Sequence, residues 1–303
     1  MAIDKRLTIA EAVARLHDGA TIGLGGSAGR RKPMAIVRAI VRSSLKDLTV
    51  VAWGGPDLDM LIGAGKVKKV AYAFCRFEGG RGAPGNFRRA RQQGSIQFME
   101  LSEYLCLSGL EAAGRRLPFF PVRSGLGTDV LTNSPQIQTF TAPYTGETLV
   151  AMPALNLDAS FILVNAADPS GFGQILGDPM FDMPVVHAAK DCYLCADRIV
   201  PLDTLKADVR SMLINRMWVS GVIEVPFGGH PTSSYPNYLP DQEHLREHYQ
   251  AAADPQAFKA YLDKYVYGVD SQEAYLERIG GISKLIKLTR RDEAAWLTQP
   301  ITP

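Results

Sequence analysis

A run of glycines, Gly23-Leu24-Gly25-Gly26-Ser27-Ala28-Gly29, follows a short apolar segment and leads into Arg30-Arg31-Lys32-Pro33. Glycines in such a turn let the backbone come close to a ligand and aim N–H groups at negative charge. Proline suits the first turn of the helix that follows. Gly25, Gly26 and Ser27 are therefore candidate donors to an anion or a developing oxyanion. Two other readings of the same residues stay open. Gly23 to Ala28 fits the dinucleotide pattern GxGxxA, but that motif calls for an acidic residue about 20 positions on, and Asp57 stands about ten positions too late. A tight strand-to-helix turn with no ligand is the plainest alternative.

Glu103 follows Glu100-Leu101-Ser102, where a strand gives way to a helix. It suits an acid/base catalyst in the ligand region, or a carboxylate favoured at a helix start by about 0.3–1 kcal/mol; Glu100 is its nearest rival. Arg123 and Ser124 follow an apolar run at 118–122, again at a strand end. A guanidinium there could hold a substrate carboxylate or grip Glu103 bidentately. Arg30, Arg31 and Lys32 could neutralise phosphates, or form a solvated basic run. Cys192 and Cys195 look like half of a zinc site, but residues three apart on a strand face opposite ways. Cys75 and Cys106 make no second pair, so the four thiols read as buried and no metal is expected. His244 and His248 lie one helical turn apart; without a third ligand nearby they read as a solvated face. His230, in Gly228-Gly229-His230-Pro231, reads as structural or as part of a subunit contact.

The elements that would position these groups alternate. Strand-like runs fall at 21–24, 48–53, 70–74, 96–99, 119–122, 161–164 and 192–196, with helical stretches at 9–16, 33–41, 58–63, 87–91 and 104–113. The alternation predicts an α/β fold with a mostly parallel sheet flanked by helices, binding ligands at the carboxyl ends of its strands. Residues 124–152 are turn-rich and read as a long excursion with short strands. From 241 onward the pattern is helical and polar, at 241–253, 255–267 and 271–278. The chain thus divides into an α/β domain over 1–240 and a C-terminal helical extension of the same domain over 241–303.

The 303 residues carry 33 basic and 31 acidic side chains, a net charge of +2, which gives no reason to expect nucleic acid or an anionic membrane as partner. No run of 18 apolar residues occurs, so no membrane span is expected. Four cysteines make no disulfide framework, and residues 1–6 lack the apolar stretch of a signal peptide. A reduced, cytoplasmic protein is expected.

Several motifs, in order, carry a resemblance. Asp18-Gly19 with Gly23-Leu24-Gly25-Gly26 resembles the glycine signature of family I CoA-transferase α subunits. Gly54-Gly55-Pro56-Asp57 through Ala64-Gly65-Lys66-Val67 is similar to their second strand and following helix. The stretch from Leu117 through Pro121-Val122-Arg123-Ser124-Gly125-Leu126-Gly127-Thr128-Asp129 is very similar to the glutaconate CoA-transferase α chain. So are Pro153-Ala154-Leu155 with Asp158, Ala167-Asp168 with Gly171, and Val225-Pro226-Phe227-Gly228-Gly229-His230-Pro231. The resemblance covers about residues 5–250. Arg30-Arg31-Lys32-Pro33-Met34 and Asp47-Leu48-Thr49-Val50-Val51 also resemble the α subunit of the steroid ring-opening hydrolase IpdAB. Two positions depart from the family pattern: Leu163 stands where histidine is common, and Phe172 where asparagine follows the glycine.

The resemblance implies a NagB/RpiA/CoA-transferase-like fold and coenzyme A as substrate, with no permanently bound cofactor. It implies a nucleophilic glutamate, in a Glu-Asn-Gly context, on a β subunit; no Glu-Asn-Gly occurs here. Glu78-Gly79-Gly80 reads as a mobile pocket wall instead. A β partner, as αβ or α2β2, would complete the enzyme, and Gly25 and Gly26 would face the oxyanion. The leading reading is an α subunit moving coenzyme A between an acyl-CoA thioester and a carboxylate. The alternative is a hydrolase opening a carbon–carbon bond in a cyclic-ketone acyl-CoA. The hydrolase α chain carries a catalytic glutamate where Glu103 stands, and burial there would raise its pKa. A non-catalytic nucleotide or sugar-phosphate binding module of similar fold is the third reading.

Overall fold

The computed structural model describes residues 3–77 and 82–289. Its main sheet has seven strands, all paired in parallel: β1 (Thr21–Ser27), β2 (Leu48–Gly54), β3 (Val67–Cys75), β4 (Gln97–Glu100), β8 (Leu157–Val164), β11 (Ala189–Ala196) and β12 (Gly221–Glu224). Their order is β12-β11-β8-β1-β2-β3-β4, so β1 is central. The central strands read as near-continuous apolar runs because helices cover both faces. One face packs under helices Ile9–Ala14, Met34–Arg42, Pro56–Gly63 and the C-terminal helices. The other packs under helices Glu103–Gly114 and Asp182–Ala188. The α/β reading therefore holds.

Strand 119–122, expected within the alternation, is not in the parallel sheet. As β5 (Phe119–Val122) it pairs antiparallel with β7 (Thr148–Pro153), which also pairs with β6 (Gln138–Thr141). Its exposed Phe119 and Pro121 face solvent, and Pro121 lacks the N–H that a central strand uses, which suits this edge position. β12 is not among the expected strands, and the two-residue strands β9 (Ala166–Ala167) and β10 (Gly173–Gln174) are too short to give a sequence signal. Cys192 and Cys195 do face opposite cores. Burial pushes the Cys192 thiol up to about 12, so it stays protonated at neutral pH.

The C-terminal helices begin where their caps stand: Asp241, Asp254 and Ser271 each accept from backbone N–H groups of the following turn. Their polar composition hides an inward stripe. His244 and His248, expected on a solvated face, are both buried. His248 Nε2 meets Asp59 Oδ2 at 3.0 Å, and Asp59 also accepts from the Asn86 side chain and the Phe87 N–H. His244 Nε2 meets the Tyr261 hydroxyl at 2.9 Å. The spacing that suggests a surface pair is equally that of two residues facing a core. His230 is buried as well, between the Tyr275 hydroxyl (2.7 Å) and Asp241 (3.1 Å), in a structural role.

His244 couples the C-terminal packing to pH. Burial holds His244 well below the ordinary histidine value, helped by the nearby Arg38 guanidinium and opposed by Asp241. Unfolding restores a pKa near 6.5, so below about that pH the unfolded chain binds a proton that the folded chain refuses. Stability is present above pH ~6.5 and falls as the pH drops further. Melting temperature between pH 7.5 and 5.0 is expected to fall more steeply for the wild type than for His244→Gln; equal slopes would clear His244.

Candidate active site

β1 and its turn occupy the point where chain connections leave the sheet in opposite directions, toward β2 on one side and β8 on the other. In open α/β sheets that crevice is the usual ligand site. Its glycines have separate jobs. Gly23 and Gly25 point at helix Asp182–Ala188, where a Cβ would meet Val185 at 2.8 Å and Asp182 Oδ1 at 2.9 Å. Gly26 has φ +68, and a Cβ there would meet the carbonyl oxygens of Arg30 and Arg31 at 2.3 and 2.4 Å.

Residues 22–29 are all buried. The Gly26 N–H, expected to face an oxyanion, donates to Asp182 Oδ1 at 2.7 Å. The Ser27 N–H closes a turn on the Arg30 carbonyl at 3.0 Å. The basic run expected at the surface also lies inside: Arg31 pairs with Asp182 at 2.7 Å and Lys32 with Asp57 at 2.9 Å. Both cations are engaged by these partners, so neither reaches phosphate. Asp57 accepts from the Gly55 N–H at 2.7 Å and braces this turn, which removes it as a ribose ligand. The segment after β12 closes the crevice from above, with the Arg31 N–H donating to the Ser233 carbonyl and the Asn165 side chain to the Tyr235 carbonyl.

The second group of candidates sits at the β4 edge of the sheet. Glu103 opens helix Glu103–Gly114 behind the N-cap Ser102, whose hydroxyl accepts from the Leu105 N–H. The same hydroxyl lies 2.9 Å from that of Ser124, so Glu103 and Ser124 share one corner. Glu103 is exposed, not buried as expected of a raised-pKa acid, and its neighbour Tyr104 is exposed too. Arg123 grips Glu147 bidentately, Nη2 to Oε2 at 2.9 Å, and so does not orient Glu103. Glu100, the rival carboxylate, pairs with Arg91. β4 is three strands from β1, about 14 Å at ordinary strand spacing. Glu103, Arg123 and Ser124 thus form one cluster, and Gly25, Gly26 and Ser27 another.

Sequence reasoning missed two acids at the carboxyl ends of the strands, on the β1 and β11 side of the sheet. Asp182 reaches the Gly26 turn from 156 positions away. Asp197 follows β11, and burial raises its carboxyl to about 6 against hydrogen bonds from Ser234 and Asn237. Neither sits in a motif, and both depend on distant chain segments. Glu78-Gly79-Gly80 lies outside the described residues. Among the described residues, no three His, Cys, Asp or Glu side chains gather as a metal set, and no helix is long and apolar enough to cross a membrane.

A two-faced parallel sheet, with its polar residues gathered at the strands' carboxyl ends, defines the α/β class that binds ligands there. The sequence profile described as "Coenzyme A transferase" matches residues 6–224. The cholesterol ring-cleaving hydrolase IpdA subunit of Rhodococcus jostii is 42% identical over 274 residues, 88% of this chain and 93% of that one. A glutaconate CoA-transferase subunit from Acidaminococcus fermentans is 29% identical over 305 residues, 94% of this chain and 95% of that one. The crystal structure of glutaconate coenzyme A-transferase from the same organism superposes with a TM-score of 0.90 at 27% identity, covering 95% of this chain and 96% of that one. The chain belongs to the coenzyme A transferase family. Both of these relatives are single subunits of their enzymes.

Proposed function

We propose that this chain is one half of a two-subunit enzyme acting on acyl-CoA thioesters, with the reacting corner at Glu103 and Ser124 completed by the partner. The carrying observation is that Glu103, at the carboxyl end of the sheet, lies open to solvent beside exposed Tyr104. A catalytic carboxylate needs a wall that excludes water, and a second subunit supplies it. In the transfer reading the partner's glutamate attacks the thioester. It passes through an acyl-glutamyl anhydride to a glutamyl-CoA thioester, and a carboxylate acceptor then takes the CoA. In this reading Ser124 would help hold an acyl carboxylate, and Arg123 would join it only by leaving its pair with Glu147. Coenzyme A is substrate in this scheme, the assembly is αβ or α2β2, and the cytoplasm is its compartment.

A second reading is favoured by the 42% identity to the IpdA polypeptide of the ring-cleaving hydrolase and by Glu103 itself. Glu103 would then act through water on a cyclic-ketone acyl-CoA. Water adds to the ring carbonyl, the bond to the α-carbon breaks, and the proton returns to that carbon. The complex co-expressed with its partner separates the two. Incubation with glutaryl-CoA followed by borohydride is expected to trap a reduced glutamate on the partner if CoA is transferred. With 2-oxocyclohexanecarboxyl-CoA, ring opening without a trapped adduct supports hydrolysis. A complex that does neither with any acyl-CoA defeats the proposal.

A further inference from the structure

The turn after β1 is held from both sides by buried ion pairs. Asp182 Oδ1 accepts the Gly26 N–H at 2.7 Å, while its carboxylate pairs with Arg31 at 2.7 Å. Lys32 Nζ donates to the Gly26 carbonyl at 3.2 Å and pairs with Asp57 at 2.9 Å. The two peptide groups flanking Gly26 are therefore each fixed by a charge. All four residues are at most 3% exposed.

Stability alone does not account for this arrangement. Burying two charges costs several kcal/mol per ion, and apolar pairs of like size are often as stable. The turn is strained as well: Ala28 and Arg31 have φ of 50 and 52, a backbone region that costs non-glycine residues roughly 1–3 kcal/mol each. Strained, charge-braced backbone at the crevice of a ligand-binding sheet is what geometry-critical turns look like. Asp182 is in turn fixed by its neighbour, since the Phe181 ring stacks on Trp53 at 3.9 Å, at the end of β2.

We propose that Asp182 is a positioning residue: by accepting the Gly26 N–H and pairing with Arg31, it locks the turn after β1 in the shape that the acyl-CoA reaction at this end of the sheet requires. Gly26 is on this view a braced hinge point and not a donor to substrate. The proposal rests on the acyl-CoA reading above.

The test compares two double variants in the assembled enzyme, both free of an orphaned charge. Arg31→Met with Asp182→Asn keeps an acceptor for the Gly26 N–H; Arg31→Met with Asp182→Leu removes it. The leucine pair is expected to lose on the order of 100-fold in kcat, as misplacement by about an ångström does, with KM within about threefold. The asparagine pair is expected to rescue most of that loss. Hydrogen exchange over residues 23–29, read by mass spectrometry, should be faster in the leucine pair alone. Equal kcat in the two pairs, or equal exchange, overturns the proposal. So does a parallel fall in kcat and melting temperature in both pairs, which marks a structural brace only. A wild-type complex that turns over no acyl-CoA removes the functional reading instead, while exchange still reports whether Asp182 holds the turn.

Discussion

Replacing Glu103 with glutamine in the assembled enzyme is expected to cut turnover of 2-oxocyclohexanecarboxyl-CoA by about 10²–10⁴-fold, the ordinary worth of a positioned acid/base, while the melting temperature barely moves. The two roles open to Glu103 differ enough in size to be told apart. As the first residue of helix Glu103–Gly114, its carboxylate favours the helix dipole by about 0.3–1 kcal/mol at most. A loss of 10²-fold corresponds to about 2.7 kcal/mol on the barrier, beyond what a helix-start carboxylate supplies. Glutamine keeps the size and one acceptor but cannot carry the proton. A Glu103→Gln complex that opens the ring at the wild-type rate leaves the residue as a helix-start group. The transferase reading, in which the partner's carboxylate does the chemistry, would then stand alone. Arg123→Gln is the informative companion: it breaks the pair with Glu147 without touching the helix start.

What is legible in the sequence is what local chemistry controls. The central strands are buried on both faces and so appear as apolar runs, and the C-terminal helices announce themselves by Asp241, Asp254 and Ser271 at their caps. The family is legible because its motifs are backbone fixtures. Asp158 accepts the Thr21 N–H, Asp168 accepts the Phe172 N–H across the Gly171 turn, and the Leu155 N–H reaches the Gly109 carbonyl. The misreadings share one cause: a residue's role depends on a partner that its local sequence does not reveal. Glycines at 23 and 25 resemble a ligand cradle but make room for a helix that arrives about 160 positions later. Arg31 and Lys32 read as solvated because Asp182 and Asp57 are far away in sequence. His244 and His248 read as exposed because nothing local identifies Tyr261 and Asp59 as their partners. Position 119–122 has strand composition, but only its antiparallel pairing with β7 decides which sheet it joins.

Lys32→Met is expected to be among the most destabilising single changes in the chain, by about 3–5 kcal/mol. Lys32 and Asp57 are both fully buried and 2.9 Å apart. Removing the cation leaves an uncompensated carboxylate in the core, and breaking a buried pair on one side costs that much even where the intact pair adds little net stability. Asp57 cannot escape to water, because its other oxygen holds the Gly55 N–H and a Cβ on Gly55 would lie 2.0 Å from the Ala28 carbonyl oxygen, so the surrounding backbone is already at contact. The Gly26 carbonyl loses its ammonium donor in the same stroke. Against a total of about 5–15 kcal/mol for a folded domain, the loss should lower the melting temperature by roughly 6–15 °C. Adding Asp57→Asn to Lys32→Met removes the stranded charge while keeping an acceptor for the Gly55 N–H, and is expected to recover most of the loss. If the double variant melts no higher than the single one, the cost lies in the lost packing of the lysine stem and the hydrogen bond to Gly26, not in buried charge. The electrostatic account of why Arg31 and Lys32 lie inside would then fail with it.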